Sequence, residues 1–182
     1  MTLESLRKDC SIRQKKGLHF ILASIIIWLL VTVIHTSDYP ILTKNLLTFC
    51  ATAPLLPIAF AFSKVLKIEF SDKKNPLNQL GLLFSMNQLL YLLIAMWIYP
   101  TVPEKMVMVI AMIFGAHLLP YSWLYQSKSY LIMSILIPIS ALIVGNIFEV
   151  YVLGLLMILY QILFSIVLGL EVKALIRTEG RD

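Results

Sequence analysis

Ionic side chains are sparse in this sequence, at 14% of 182 residues, where soluble domains carry about a quarter. Those present stand in loops or near the ends of apolar runs, Glu149 and Glu171 included. No buried carboxylate or charge pair is therefore expected that would couple ions or relay protons. Cysteine is confined to Cys10 and Cys50, one in a basic segment and one in an apolar run, which excludes a disulfide framework and a thiolate metal site. A GxSxG elbow, an HExxH pair, a phosphate-binding glycine loop and a magnesium-holding carboxylate cluster are all missing. His117 with Ser85 or Ser122 lacks the spacing of a hydrolase, so neither an enzyme nor a cofactor is expected. The net charge of +5 comes without aromatic residues interleaved on a soluble basic face, which argues against a nucleic-acid partner.

Hydrocarbon fills the space that charge leaves. Hydrophobic residues make up 59% of the chain and its mean hydropathy is +0.86. Apolar runs of roughly 17 to 25 residues recur, the length that a hydrocarbon core about 30 Å thick requires of a helix. A transmembrane barrel is excluded, because its strands alternate and are only about 10 residues long. The sequence predicts an all-α polytopic membrane bundle of six transmembrane helices, over 17–35, 42–63, 76–98, 102–122, 129–145 and 147–172, with membrane lipid as its solvent. Residues 1–16 form a basic N-terminal segment and 173–182 a polar tail. In the former, Leu3, Leu6 and Cys10 fall at helical spacing among Arg7, Lys8, Arg13, Lys15 and Lys16, which suits either an amphipathic helix on an anionic lipid surface or a solvated tail. His35-Thr36-Ser37-Asp38 is no small-residue cleavage site, so the first run reads as a retained span.

Prolines and caps punctuate the runs. Pro54 and Pro57 are expected to kink or loosen the second span, and Asn75-Pro76 to cap and open the third. Tyr99-Pro100 reads as a break, Thr101 and Glu104 as a capping box, and Pro120 as a bend in the fourth span. Gly145-Asn146 with Glu149 reads as a stop followed by a second capping box, making a tight hairpin. Pro54 and Pro138 take comparable places in two three-helix halves, a pattern that inverted-repeat transporters use around a substrate site; Pro57 has no counterpart. Six spans put Arg7, Lys8, Arg13, Lys15, Lys16, Lys64, Lys67, Lys73, Lys74, Lys128, Lys173, Arg177 and Arg181 on one side, 13 of the 15 cations, leaving Lys44 and Lys105. The positive-inside rule places that side and both termini in the cytoplasm. Tyr121, Trp123, Tyr125 and Tyr130 then fall in the inner aromatic belt, while His19 and His35 sit at the two interfaces.

The run Gly81 to Trp97 has an amide pair, Asn87 and Gln88, at its centre. At 100° per residue, Gly81, Ser85, Gln88 and Ala95 share one stripe, as do Gly154, Gln161, Ser165 and Gly169 on the sixth span. Small residues let backbones approach and amides in hydrocarbon need partners, so both stripes are expected inside, with Gln88 and Gln161 at similar depth. Asn87 points to another face, toward a neighbouring helix or a partner subunit. His117 stands where an imidazole would shuttle protons or hold a ligand, or simply pack. The candidate polar residues are thus Asn87, Gln88, His117, Gln161 and Ser165, with Pro54, Pro57 and Pro138 as helix breaks.

The stretch KKGLHFILASIIIW, Lys15 to Trp28, resembles the opening of a group of small bacterial multi-pass membrane proteins of unknown function. That resemblance implies a bacterial cytoplasmic membrane and brings no site residues. Two roles follow: a permeation or transport component for a small solute or ion, suggested by interior amides and paired broken helices, or an accessory, immunity or assembly protein, suggested by the missing coupling charges. A second copy of the chain or another membrane protein is the expected partner.

Overall fold

The computed structural model describes residues 2–68 and 75–179, so Lys73, Lys74 and Arg181 lie outside the described residues. Among those described there is no strand. The helices are α1 (Leu3–Arg13), α2 (Leu18–His35), α3 (Ile41–Thr52), α4 (Leu55–Val65), α5 (Leu77–Thr101), α6 (Met106–His117), α7 (Leu119–Leu124), α8 (Lys128–Ile147) and α9 (Val150–Glu179). With α3–α4 and α6–α7 taken as broken pairs, six helical stretches are long and apolar enough to cross a membrane: Lys15–His35, Ile41–Val65, Leu77–Thr101, Pro103–Leu124, Lys128–Ile147 and Val150–Thr178.

The prolines act unequally. Pro54 sits between α3 and α4, where its missing N–H and ring interrupt the ladder. Pro57 falls in the first turn of α4, where no intrahelical donor is lost, so it adds no second break. Pro138 stands inside an unbroken α8, so the paired breaks expected of the two halves are not a pair. A Cβ on Gly115 of α6 would come within 2.5 Å of the Pro138 ring and 2.7 Å of Ile137 Cγ2; the bare glycine lets α6 close on α8 at the proline. Upstream of Pro120 the chain breaks at Leu118.

The expected caps form at one helix start and not at two others. Leu77 N–H donates to Asn75 Oδ1 at 3.0 Å, the expected cap of α5. The break at Tyr99-Pro100 is absent, because α5 runs through Pro100 to Thr101. There Thr101 donates back to Trp97 O at 2.9 Å, so it forms no capping box with Glu104. Likewise α8 continues through Gly145-Asn146, and Asn146 Nδ2 donates to Leu142 O at 2.7 Å instead of capping α9. In both cases the hydroxyl or amide is satisfied by its own preceding turn.

Packing runs in the order α4, α2, α9, α8, α6, α5. The spine is α2 against α9. On α9, Leu153, Met157, Gln161, Phe164 and Leu168 recur at intervals of three and four and are at most 1% exposed; on α2, Ile21, Ser24, Trp28 and Val31 meet them. Half of the most apolar window of the first span is buried, against 12% for α5. The run Gly81 to Trp97 is therefore peripheral. Its small-residue stripe does face protein, with Ala95 fully buried, but toward α6 and α7.

Polar contacts collect at two ends. At one, His35 Nε2 lies 3.1 Å from Thr48 Oγ1, Asn45 Nδ2 donates to Pro103 O at 2.8 Å and Lys105 Nζ to Gly145 O at 2.9 Å. The other end carries α1, the α7–α8 junction and Glu171 of α9. His19 and His35 stand at the two ends of α2 and are 3% and 8% exposed.

The spine supplies the first test. A Cβ on Gly154 would overlap Thr32 Oγ1 and stand 3.3 Å from Thr32 Cα, whereas one on Gly169 meets nothing within 4 Å. Gly154→Ala should lower the melting temperature of the purified protein by several degrees, from overpacking of roughly 1–3 kcal/mol, and Thr32→Ala should return part of it. Gly169→Ala should leave it unchanged or raise it, since alanine is the better helix former by about 0.5–1 kcal/mol.

Candidate functional site

The densest polar cluster begins with a strained turn. Lys15, Lys16 and Gly17 adopt φ of +45°, +51° and +71°, a left-handed run that costs about 1 kcal/mol or more at each lysine. A side chain at Gly17 would also lie 3.1 Å from the Tyr130 hydroxyl and 3.3 Å from the Tyr125 ring. The turn directs the Lys16 ammonium inward to Glu171 Oε2 at 2.7 Å, with Lys16 only 6% exposed. Glu171 also accepts from Ser127 Oγ at 2.7 Å and from Ser129 N–H at 3.2 Å. The Tyr130 hydroxyl donates to Lys16 O at 2.8 Å. The pair joins a buried ammonium to a half-buried carboxylate, 24% exposed, on an α9 that runs on to Glu179, two turns beyond Glu171.

Around this pair α1 is an ordered helix tied down on protein, not a frayed tail. Cys10 Sγ and Gln14 Nε2 both donate to Asn78 Oδ1, at 3.3 and 2.7 Å, and the Tyr125 hydroxyl donates to Gln14 Oε1 at 2.7 Å. Burial pushes the Tyr125 phenol well above its ordinary range, and its neighbours Tyr130, Cys10 and Tyr121 add to this, so it remains a donor. Asn75 Nδ2 reaches Leu6 O at 2.8 Å and Asp9 Oδ2 at 2.9 Å, and Arg13 pairs with Asp9 at 2.7 Å. Burial tends to raise the Asp9 carboxyl, but the hydrogen bonds from Asn75 and Arg13 outweigh it and hold the group below the ordinary value. Arg7 donates to Trp123 O and lies 4.5 Å over the Trp123 ring. Lys15 Nζ donates to Leu66 O at 2.5 Å.

Tyr121, Tyr125 and Tyr130 are not a belt. Their rings pack with centroids 5.6 to 6.0 Å apart and Tyr130 abuts Phe164 at 4.8 Å; Tyr125 and Tyr130 are 4% and 3% exposed. Trp123 is the one of the four with an exposed body, at 44%.

The candidate amides separate. Gln161 is fully buried and accepts from Ser24 Oγ at 3.1 Å; its Nε2 has no hydrogen-bond partner among the described residues. Its partner is thus on α2 and not Gln88, which stays half-buried on the peripheral α5. Ser165, rotated away from the α9 spine, bonds only back to Ile162 O at 2.8 Å. Ser85 meets the Tyr121 hydroxyl at 2.7 Å, and that hydroxyl donates to Gly81 O at 2.9 Å. Asn87 is exposed and donates through Nδ2 to the Tyr91 hydroxyl at 2.9 Å. It shares with Phe84, Tyr91, Ala116, His117 and Pro120 a groove of about 150 Å³ between α5 and the α6–α7 break. His117 Nδ1 is 2.6 Å from Phe114 O.

Sequence reasoning missed Lys16, Glu171, Ser127, Tyr125 and Tyr91. The signal for Glu171 was the apolar-to-basic pattern continuing past Val172, where Ala174, Leu175 and Ile176 extend the helix. No group of three or more His, Cys, Asp or Glu side chains able to hold a metal occurs among the described residues.

The chain belongs to a family of unknown function, DUF7010, whose model matches residues 3–171. No curated protein and no solved structure matches it.

Two tests follow from the cluster. Glu171→Gln strands the Lys16 ammonium and should cost roughly 1–3 kcal/mol, whereas Lys16→Met leaves Glu171 its serine donors and should cost less. The double variant should melt above the sum of the two losses, the coupling expected of a direct pair. Because the folded Asp9 carboxyl lies below its ordinary value of 3.8, its contribution is complete above that pH and is lost as pH falls through the lower folded value. In a Cys50→Ser background, Cys10, 1% exposed, should resist dithiodipyridine at about pH 5 and react progressively below about pH 4. Asp9→Asn should react readily at both.

Proposed function

We propose that this member of the family is a multi-pass protein of a bacterial cytoplasmic membrane, both termini cytoplasmic, that serves as an accessory, assembly or immunity protein through contacts with a membrane partner. The 13-of-15 cation bias supports the orientation by the positive-inside rule. The observation that carries the partner role is the placement of amides. The span with least buried surface, α5, is the one that bears Asn87 and Gln88 in its middle, Asn87 exposed. An amide facing hydrocarbon is costly unless another helix supplies hydrogen bonds. The spine, by contrast, is closed by Met157, Phe164 and Leu168, each fully buried.

One observation favours the other role. The buried Gln161 Nε2 without a partner is the kind of group a permeating polar solute would meet, and it supports a permeation component as the second reading. A photoreactive residue at Leu90, 63% exposed on α5, should give protein adducts in native membranes, whereas one at Leu170, 60% exposed on α9, should give none. Gln161→Leu should change stability by no more than about 1 kcal/mol and leave those adducts intact. Absence of adducts at Leu90, with solute flux in proteoliposomes that Gln161→Leu abolishes, would replace the partner reading by the permeation one.

A further inference from the structure

We infer that the groove between α5 and the α6–α7 break binds a membrane-soluble hydroxylated aromatic molecule of the quinol type. The proposal stands apart from the partner role and requires only that α5 lie in lipid.

Hydrogen-bond inventory decides the ligand class. A carbonyl cannot donate, so the 2.6 Å contact with Phe114 O places the proton on His117 Nδ1 and leaves Nε2 of the neutral ring as an acceptor. Asn87 spends one of its two N–H groups on the Tyr91 oxygen, which leaves Asn87 Oδ1 as a second acceptor and the other Asn87 N–H and the Tyr91 O–H as two donors. The groove therefore offers two acceptors and two donors among the apolar walls of Phe84, Ala116 and Pro120. A molecule with two hydroxyl groups satisfies both acceptors with its protons and both donors with its oxygens. Its oxidised form, with carbonyls only, would meet the donors and leave both acceptors bare.

Size and access agree. A cavity near 150 Å³ is known to admit a benzene ring, and the groove has about that volume. Asn87 is ten residues into α5 from Leu77, about 15 Å along the axis, at a depth that a ligand dissolved in the acyl chains reaches by lateral diffusion. The groove lies where the helix breaks at Leu118 ahead of Pro120.

The experiment uses the full chain in phosphatidylcholine nanodiscs with three probes: 2-decylhydroquinone, its dimethyl ether and decylglycerol. Saturable one-to-one binding of the hydroquinone is expected, at least tenfold tighter than that of either other probe. His117→Phe and Asn87→Leu should each weaken it at least tenfold, and Tyr91→Phe by less than about threefold. Should a variant fold poorly, the wild-type protein should still melt higher with the hydroquinone than with the ether. Unsaturable partitioning, equal binding of the ether, tighter binding of decylglycerol or variants that bind as the wild type does would each overturn the assignment.

Discussion

An ammonium held against a carboxylate under the end of the bundle, Lys16 with Glu171, is the contact on which the arrangement of the chain's two ends depends. Such a pair contributes little net stability, since desolvation offsets most of the attraction. Its effect is on geometry. To reach Glu171 the chain must turn left-handed at two lysines, and that turn sets where α1 leaves α2. Ser127, Ser129 and Tyr130 then fasten the start of α8 to the same two groups. Remove the pair and three elements lose a common reference point, while the apolar spine between α2 and α9 remains.

That spine depends on a different constraint. In hydrocarbon no apolar driving force distinguishes lipid from protein, so helices associate where shape permits close approach. Gly154 against Thr32 and Gly115 against Pro138 are two of the places where a bare backbone receives a neighbour's protrusion. Both are complementary pairs drawn from different helices, and each explains a residue that is unfavourable in its own helix.

Much of the architecture was legible because hydrophobic run length maps onto span length with few alternatives; six runs became six candidate spans. Breaks appear at Pro54 and ahead of Pro120, and not at Pro100 or Pro138, where the helix absorbs the missing donor. The site was less legible. A stripe names the face of a helix that is small or polar, but which neighbour it meets depends on helix order, which no periodicity encodes. The Gln161 stripe reads as interior, but nothing in it names Ser24 of α2 as the partner. Glu171 reads as a terminal charge with the helix end set at Val172, and extending the helix to Glu179 makes it the half-buried partner of Lys16.

The uneven distribution of polar groups leads to a last step. Charged and hydrogen-bonded side chains crowd the two ends, and the α2–α9 interface holds a single amide, Gln161. A bundle built only to stand in lipid has no need of further amides in its middle, and each one left without a strong partner is a cost. Asn87 and Gln88 add two, on the helix with most surface to spare, beside a histidine that lines a groove. Their cost in the isolated chain is removed only if something outside the chain supplies the missing partners. The proposed partner surface and the proposed ligand groove therefore share one place, the outer side of α5 and its margin with α6 and α7.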